Sequence, residues 1–219
     1  MGEPAEPGPR WGCVSLERKS RFVIAWQAAA SEAQAAPEVI RQTRARTAGR
    51  AGCVWISDGH PIYPKTIRRV YRDPVRTGRV GRPRLVRTPG VGLTQVVKHR
   101  QGRRVVQVEV RHRFGPAPEC PHTVHQERLN GVLRDRLACL TRKTHAFAKR
   151  CRSWDAAVGL ALFEHSWMRP HPALRQEQAG LPGGRRYVQR SPAMAIGLSD
   201  HVWSWTEFLS HSVYQHKRE

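Results

Sequence analysis

The sequence predicts an α/β fold, a mixed sheet flanked by helices, and three observations lead to it. Two short alternating strands precede a helix. A brief apolar run, Cys53-Val-Trp-Ile-Ser57, then ends in Asp58-Gly59, and after a basic insertion an amphipathic helix carries Glu127. A short β-branched and aromatic run bounded by turn residues is the pattern of a buried strand, and it delivers the next residue to the edge of a sheet.

The elements follow in order. Residues 1–10 are a Pro/Gly-rich lead expected to be disordered. Trp11 to Leu16 and Arg21 to Ala28 read as strands joined by the polar turn Glu17-Arg-Lys-Ser20, a hairpin. A helix is expected next, with Pro37 at its first position and Val39, Ile40 and Thr43 at helical spacing before Gly49. The Cys53–Ser57 strand leads to a short basic helix over residues 64–71. Residues 73–92 hold four glycines and three prolines among arginines and predict a mobile basic loop. Leu93 to Lys98 and Arg103 to Arg113 then predict a second hairpin around His99-Arg-Gln-Gly102, so residues 73–114 form an insertion between two acid-bearing elements. This Val-rich hairpin is either a DNA-contacting insertion or a dimerisation edge.

The helix around Glu127 buries Leu129, Leu133, Leu137 and Leu140, which fall together at about 100° per residue. Glu127, Asn130 and Arg134 line one margin of that stripe, although Gly131 weakens the helix by ~1 kcal/mol relative to Ala. A further helix is expected from Ser153, as its cap, to Trp167. The predicted organisation is a main domain over 11–175 and a C-terminal tail over 176–219. Trp55, Trp154 and Trp167 fall on apolar faces and are assigned to the core.

Charge points to a partner. The 219 residues hold 38 Lys+Arg against 17 Asp+Glu, a formal net charge of +21. From Lys65 to Arg113 there are fifteen basic residues and two acids, Asp73 and Glu109. Such a block attracts polyanions and releases their counterions on binding. Nothing approaches the ~18 apolar residues of a membrane span, and the amino terminus is no signal peptide. Five scattered cysteines suit a reducing cytoplasm better than a disulfide framework. Cys120, His122 and His125 offer three metal ligands without a fourth, so a polar loop is expected there instead of a zinc site.

An acid at the margin between core and solvent, beside an arginine, suits a metal ion next to a phosphodiester; Asp58 is a possible partner for Glu127. The order of elements resembles the ribonuclease H-like fold of DDE transposases and integrases. More narrowly, the residues resemble bacterial insertion-sequence transposases of the insertion-sequence-one group. The resemblance rests on Ser57-Asp-Gly59 with Tyr63, on Glu127-Arg-Leu-Asn130 with Leu133-Arg-Asp-Arg-Leu137 and Leu140-Thr-Arg-Lys-Thr144, and on Phe147-Ala-Lys149. Met168-Arg-Pro-His171 and Pro192–Trp203 also match, so that it spans roughly residues 11 to 208.

The resemblance implies DNA cleavage and strand transfer at element ends. Three carboxylates hold two Mg²⁺ (or Mn²⁺) ions about 3.5–4 Å apart, one activating the attacking oxygen and the other stabilising the leaving one. Asp58 would be the second carboxylate and Glu127 the third, both metal ligands. Arg134 would clamp the DNA backbone, and Arg128, Arg142 and Lys143 would contact phosphates. It also implies double-stranded DNA and a homodimer as partners, no membrane, and a cytoplasmic, nucleoid-associated location. The first carboxylate, expected on a central strand ahead of the opening hairpin, is not found: Glu3 and Glu6 lie in a Pro-rich segment and Glu17 in a turn. The chain is therefore expected to be the carboxy-terminal part of a transposase, inactive alone, with its hairpin left without a partner strand. The alternative is a non-catalytic basic DNA-binding protein of transposase descent that represses an intact element. An RNA-binding protein is disfavoured, because no RNP-type aromatic strand is present.

Overall fold

In the computed structural model, residues 11–47, 52–76, 78, 81–141, 145, 148 and 150–211 are described. The elements are β1 (Trp11–Leu16), β2 (Val23–Ala29), α1 (Glu32–Arg46), β3 (Cys53–Ser57), α2 (Ile62–Val70), β4 (Arg72–Val75), β5 (Arg84–Arg87), β6 (Val91–Gln101), β7 (Arg104–Phe114), α3 (Val124–Arg136) and α4 (Cys151–Phe163). Four short ones follow: β8 (Gln176–Glu177), β9 (Tyr187–Val188), α5 (Pro192–Ala195) and α6 (Trp205–Ser210). The α/β class holds, with a mixed sheet and helices. No helix among the described residues is long and apolar enough to cross a membrane.

The chain forms two compact units, one built on Ile24–Val132 with strand residues 11–15, the other on Leu16–Val23 and residues from Leu133 onward. In the first unit the sheet order is β3-β6-β7. β3 runs parallel to β6 from Cys53↔Val91 to Ser57↔Gln95, and β7 returns antiparallel along β6. Ile40 of α1, Ile67 of α2, Tyr71, Val91, Leu93 and Phe114 form the core, with Trp55 and Tyr63 packed against it. Arg68 lies 4.7 Å and Arg87 5.7 Å from the centre of the Phe114 ring, so two guanidiniums cover the root of the β6–β7 hairpin. Gly92 is required where β6 starts: a Cβ there would meet the Pro116 carbonyl oxygen at 2.1 Å.

The β1–β2 hairpin is a separate two-stranded sheet; among the described residues neither strand pairs with β3. It is held to α1 by polar contacts, Ser15 Oγ to Thr43 Oγ1 at 2.6 Å and Gln42 Nε2 to Gln27 Oε1 at 3.3 Å. In its turn Glu17 accepts from the Lys19 and Ser20 backbone N–H groups, which allows Arg21 its positive φ of 66°.

In the second unit α4 runs on into a π-helical turn, Glu164–Met168. Phe163 stacks on Trp167 at 5.6 Å, and Trp203 and Phe208 close over them at 6.0 and 4.5 Å from Phe163. Phe22 meets Trp167 at 6.2 Å, and His165 Nε2 lies 3.0 Å from the Arg21 carbonyl oxygen. Burial pushes the His165 imidazole below its ordinary value. Glu164 receives two hydrogen bonds of 2.7 Å from Arg136.

Several boundaries differ from the sequence expectation, each for a local reason. The first helix starts at Glu32 with Ser31 as its cap position, so Pro37 lies inside it and not at its first turn. The ring leaves the Ala33 carbonyl without its helical donor, which is tolerable because Ala33 is exposed to solvent. The α2 helix spans Ile62–Val70. The supposed loop 73–92 contains paired strands instead, Arg72↔Arg87 through Val75↔Arg84, with Arg44 bonding Asp73 at 2.5 Å. The helix bearing Glu127 ends at Arg136. Leu129 and Leu133 are buried in it, whereas Leu137 lies beyond its end and Leu140 in a single 3-10 turn. Ser153 falls in the first turn of α4, whose cap position is Arg150. Of the tryptophans assigned to the core, Trp154 is buried, and Trp55 and Trp167 are half-buried.

Candidate functional site

The site is built on β6, because this strand touches both elements that bear the expected acids. β3 ends at Ser57, in register with Gln95. Asp58 follows at the tip, exposed, and its Oδ1 accepts the His60 N–H at 3.1 Å, which turns the chain toward α2. Gln95 is fully buried (0% exposed). Its Nε2 donates to the carbonyl oxygens of Asp58 at 2.7 Å and His60 at 3.1 Å, and its Oε1 accepts from Arg113 Nε at 2.6 Å. One amide therefore uses both its donor and its acceptor side to fix the Asp58 turn and to join it to β7.

Lys98, on the same strand, reaches Glu127. The helix bearing that acid begins after Thr123, whose carbonyl accepts the Glu127 N–H at 3.0 Å and whose hydroxyl donates to the Glu127 carboxylate at 2.5 Å. Lys98 Nζ donates to the same carboxylate oxygen. The Lys98 hydrogen bond, then that of Thr123, hold the Glu127 carboxyl below its ordinary value, and the positive charge of Arg100 adds to this. Asp58 and Glu127 thus belong to one unit and are both tied to β6, through Gln95 and Lys98, three residues apart and on opposite faces of the strand.

The other expected residues are less engaged. Arg128 and Arg134 are exposed on α3, and Arg134 contributes its carbonyl to Thr141 at 3.1 Å. Arg142 and Lys143 lie outside the described residues. His122 and His125 pack ring against ring with centroids 4.8 Å apart.

Glu32 and Cys13, which sequence reasoning missed, gather near Asp58 with Tyr63, which the resemblance names. Glu32, in the first turn of α1, accepts the Tyr63 hydroxyl at 2.8 Å. Burial raises the Cys13 thiol to about 11, with the charges of Glu32 and Asp58 adding to it, and burial raises the Tyr63 phenol as well. An acid in the first turn of a helix ordinarily signals only the helix dipole, so the sequence offered no cue for Glu32. Gln95 was invisible because its role exists only once the β3–β6 register is known, and Lys98 because its role exists only once α3 lies against β6.

A divalent ion of the Mg²⁺ type asks for about six oxygen ligands in close octahedral order. Among the described residues no three His, Cys, Asp or Glu side chains come together to hold a metal. Glu127 already carries an ammonium group. The donor set as it stands does not fit the implied Mg²⁺ pair. The arrangement offers instead an exposed acid tip, a lysine-neutralised acid, and a long basic hairpin that lies between them in sequence. No family model matches the chain, and no similar curated protein or solved structure was found.

Proposed function

We propose that this chain binds double-stranded DNA as a protein of DDE-transposase descent, and that by itself it binds without cutting. The observation that supports this most is the common anchoring of Asp58 and Glu127 on β6, with the basic β6–β7 hairpin inserted between them in sequence. The ribonuclease H-like arrangement expected from the resemblance puts an acid at a strand tip, a parallel neighbour strand, and a later acid on a helix in this order. The outer edge of β3 is unpaired among the described residues, on the side where that arrangement would have its first acid-bearing strand. Two carboxylates, one of them neutralised by Lys98, are too few for the two-metal reaction. The net charge of +21 supplies the affinity for DNA.

The test is paired. Binding of duplex DNA, followed by fluorescence anisotropy across a salt series, should be strong at low salt and survive in Asp58→Asn and Glu127→Gln. Supercoiled plasmid incubated with the protein and Mg²⁺ or Mn²⁺ should remain uncut. No affinity for DNA would overturn the whole reading. Metal-dependent nicking that both substitutions abolish would overturn the non-cutting half of it.

A further inference from the structure

Beyond Gln95, the last β6 residue paired with β3, the β6–β7 hairpin continues as a two-stranded ribbon. It runs on for six residues of β6, about 20 Å at ~3.4 Å per residue; Val96 is still buried and Lys98 still bonds α3, so its outer half is the free part. Its turn passes through Gly102, whose φ of 59° suits a tight hairpin loop. A register shift between His99 and Arg100 adds a bulge near the tip.

The two faces of this ribbon differ. On one, His99, Arg111 and Glu109 satisfy one another, at 3.0 Å for His99–Glu109 and 2.6 Å for Arg111–Glu109. The register puts Lys98 beside Val108, Val96 beside Val110 and Arg100 beside Val105 on the other face, the one that meets Glu127. Val105, Val108 and Val110 are 43%, 55% and 51% exposed, and Val106 at the bulge is 60% exposed. Arg103 and Arg104 at the tip enter no ion pair among the described residues. An outward row of valines flanked by unmatched guanidiniums is a poor way to end a solvated hairpin.

We propose that this ribbon is a DNA-reading arm that enters the major groove of duplex DNA, Arg100, Arg103 and Arg104 meeting phosphates and base edges while the valines meet sugars and thymine methyls. The major groove of B-form DNA, about 12 Å wide and 8.5 Å deep, admits a two-stranded β-ribbon. The deep, narrow major groove of A-form RNA does not. Charge selects this occupant over a second copy of the chain. Between Val91 and Phe114 the hairpin carries six Lys and Arg against Glu109 alone, so edge-to-edge pairing would set two strongly positive ribbons side by side. The inference rests on DNA being the partner, but not on any cutting chemistry.

The full-length chain is titrated with a DNA duplex, with an RNA duplex of the same sequence, and with the DNA duplex under guanine-N7 methylation. The parent should prefer DNA by about tenfold or more and protect guanine N7, which lies in the major groove. Changing Arg100, Arg103 and Arg104 together to Ser should weaken binding on the order of a hundredfold at ~0.1 M salt and lower the slope of log K against log salt by about 2 to 3. It should also abolish N7 protection. The triple Arg→Lys variant keeps the charge and should retain the slope, which separates loss of cations from misfolding.

Unchanged affinity and slope in the serine variant, or equal binding of RNA without N7 protection, would overturn the arm. So would a parent dimer that the serine variant dissociates while DNA affinity stays the same. If the parent binds no duplex at all, the DNA reading itself falls; if it binds and only the arm variants behave as wild type, this inference alone falls.

Discussion

Replacing Gln95 by Leu keeps the side-chain volume nearly constant and removes three hydrogen bonds at once. The lost bonds are to the Asp58 carbonyl (2.7 Å), the His60 carbonyl (3.1 Å) and Arg113 (2.6 Å). A neutral hydrogen bond contributes about 0.5–1.5 kcal/mol net and one to a charged group about 1.5–3 kcal/mol. Arg113 is exposed and can turn to water, so its loss belongs at the low end. The buried leucine recovers part of the remainder. A net destabilisation of about 2–3 kcal/mol follows, read as a lower urea midpoint at unchanged m-value. Hydrogen exchange supplies the local readout: the His60 amide should lose protection more than amides in α1, because the Asp58 turn loses its clamp. A variant within about 0.5 kcal/mol of the parent, with His60 still protected, would refute the claim that Gln95 fixes the turn.

Two further outcomes test the fold elsewhere. Gly92→Ala drives a Cβ to 2.1 Å from a backbone oxygen that cannot swing aside, so it should cost about 3 kcal/mol or more in urea unfolding; a near-neutral result would place Pro116 elsewhere. In the second unit His201 sits between Asp200 at 2.5 Å and Glu207 at 2.8 Å, and Asp200 first, then Glu207, raise its imidazole above the ordinary value. A raised histidine contributes stability that is complete below the unfolded value near 6.5 and is lost as pH rises through the folded one. Titration by NMR should show His201 above 6.5 and the Asp200→Asn variant lower than the parent; equal values would remove the pair.

The longer strands were legible, the boundaries and the short strand pairs less so, and the reason is visible residue by residue. Cys53–Ser57 carries its own signal, a short apolar run closed by Asp-Gly. The helix around Glu127 carries half of one: Leu129 and Leu133 are buried as the period requires, but Leu137 and Leu140 share that period and lie outside the helix. Periodicity records which positions face inward, not where backbone bonding stops. The β4–β5 pair is hidden more deeply. Arg72–Val75 and Arg84–Arg87 lie in a stretch whose prolines and glycines signal irregular chain, and Pro74 is admissible only because the strand is short and at an edge. Asp58 and Glu127 could be singled out by residue type and position. Gln95 and Lys98 could not, since a glutamine and a lysine within a Val-rich strand read as ordinary alternation until the parallel register places the one and the contact with α3 the other.

On the proposed DNA-binding reading, Lys98 decides how an acid can lie beside a polyanion. A bare carboxylate close to phosphates would repel them, and Lys98 neutralises Glu127 at a cost, because the same ammonium is then withheld from DNA. Glu127→Gln should therefore not weaken DNA binding. It frees Lys98 to take a phosphate, which adds about 0.9 to the salt slope and tightens binding severalfold at ~0.1 M salt. Lys98→Met bares the Glu127 carboxylate to the phosphates, so it should weaken binding at ~0.1 M salt, and it should raise the Glu127 carboxyl toward its ordinary value. The Glu127→Gln, Lys98→Met double variant should lose the gain of the single one. These three salt series separate the two roles open to Glu127. If Glu127→Gln weakens binding as much as removing an arginine of the hairpin, the carboxylate is itself part of the DNA contact or of its metal, and the lysine-neutralised, non-cutting site is wrong.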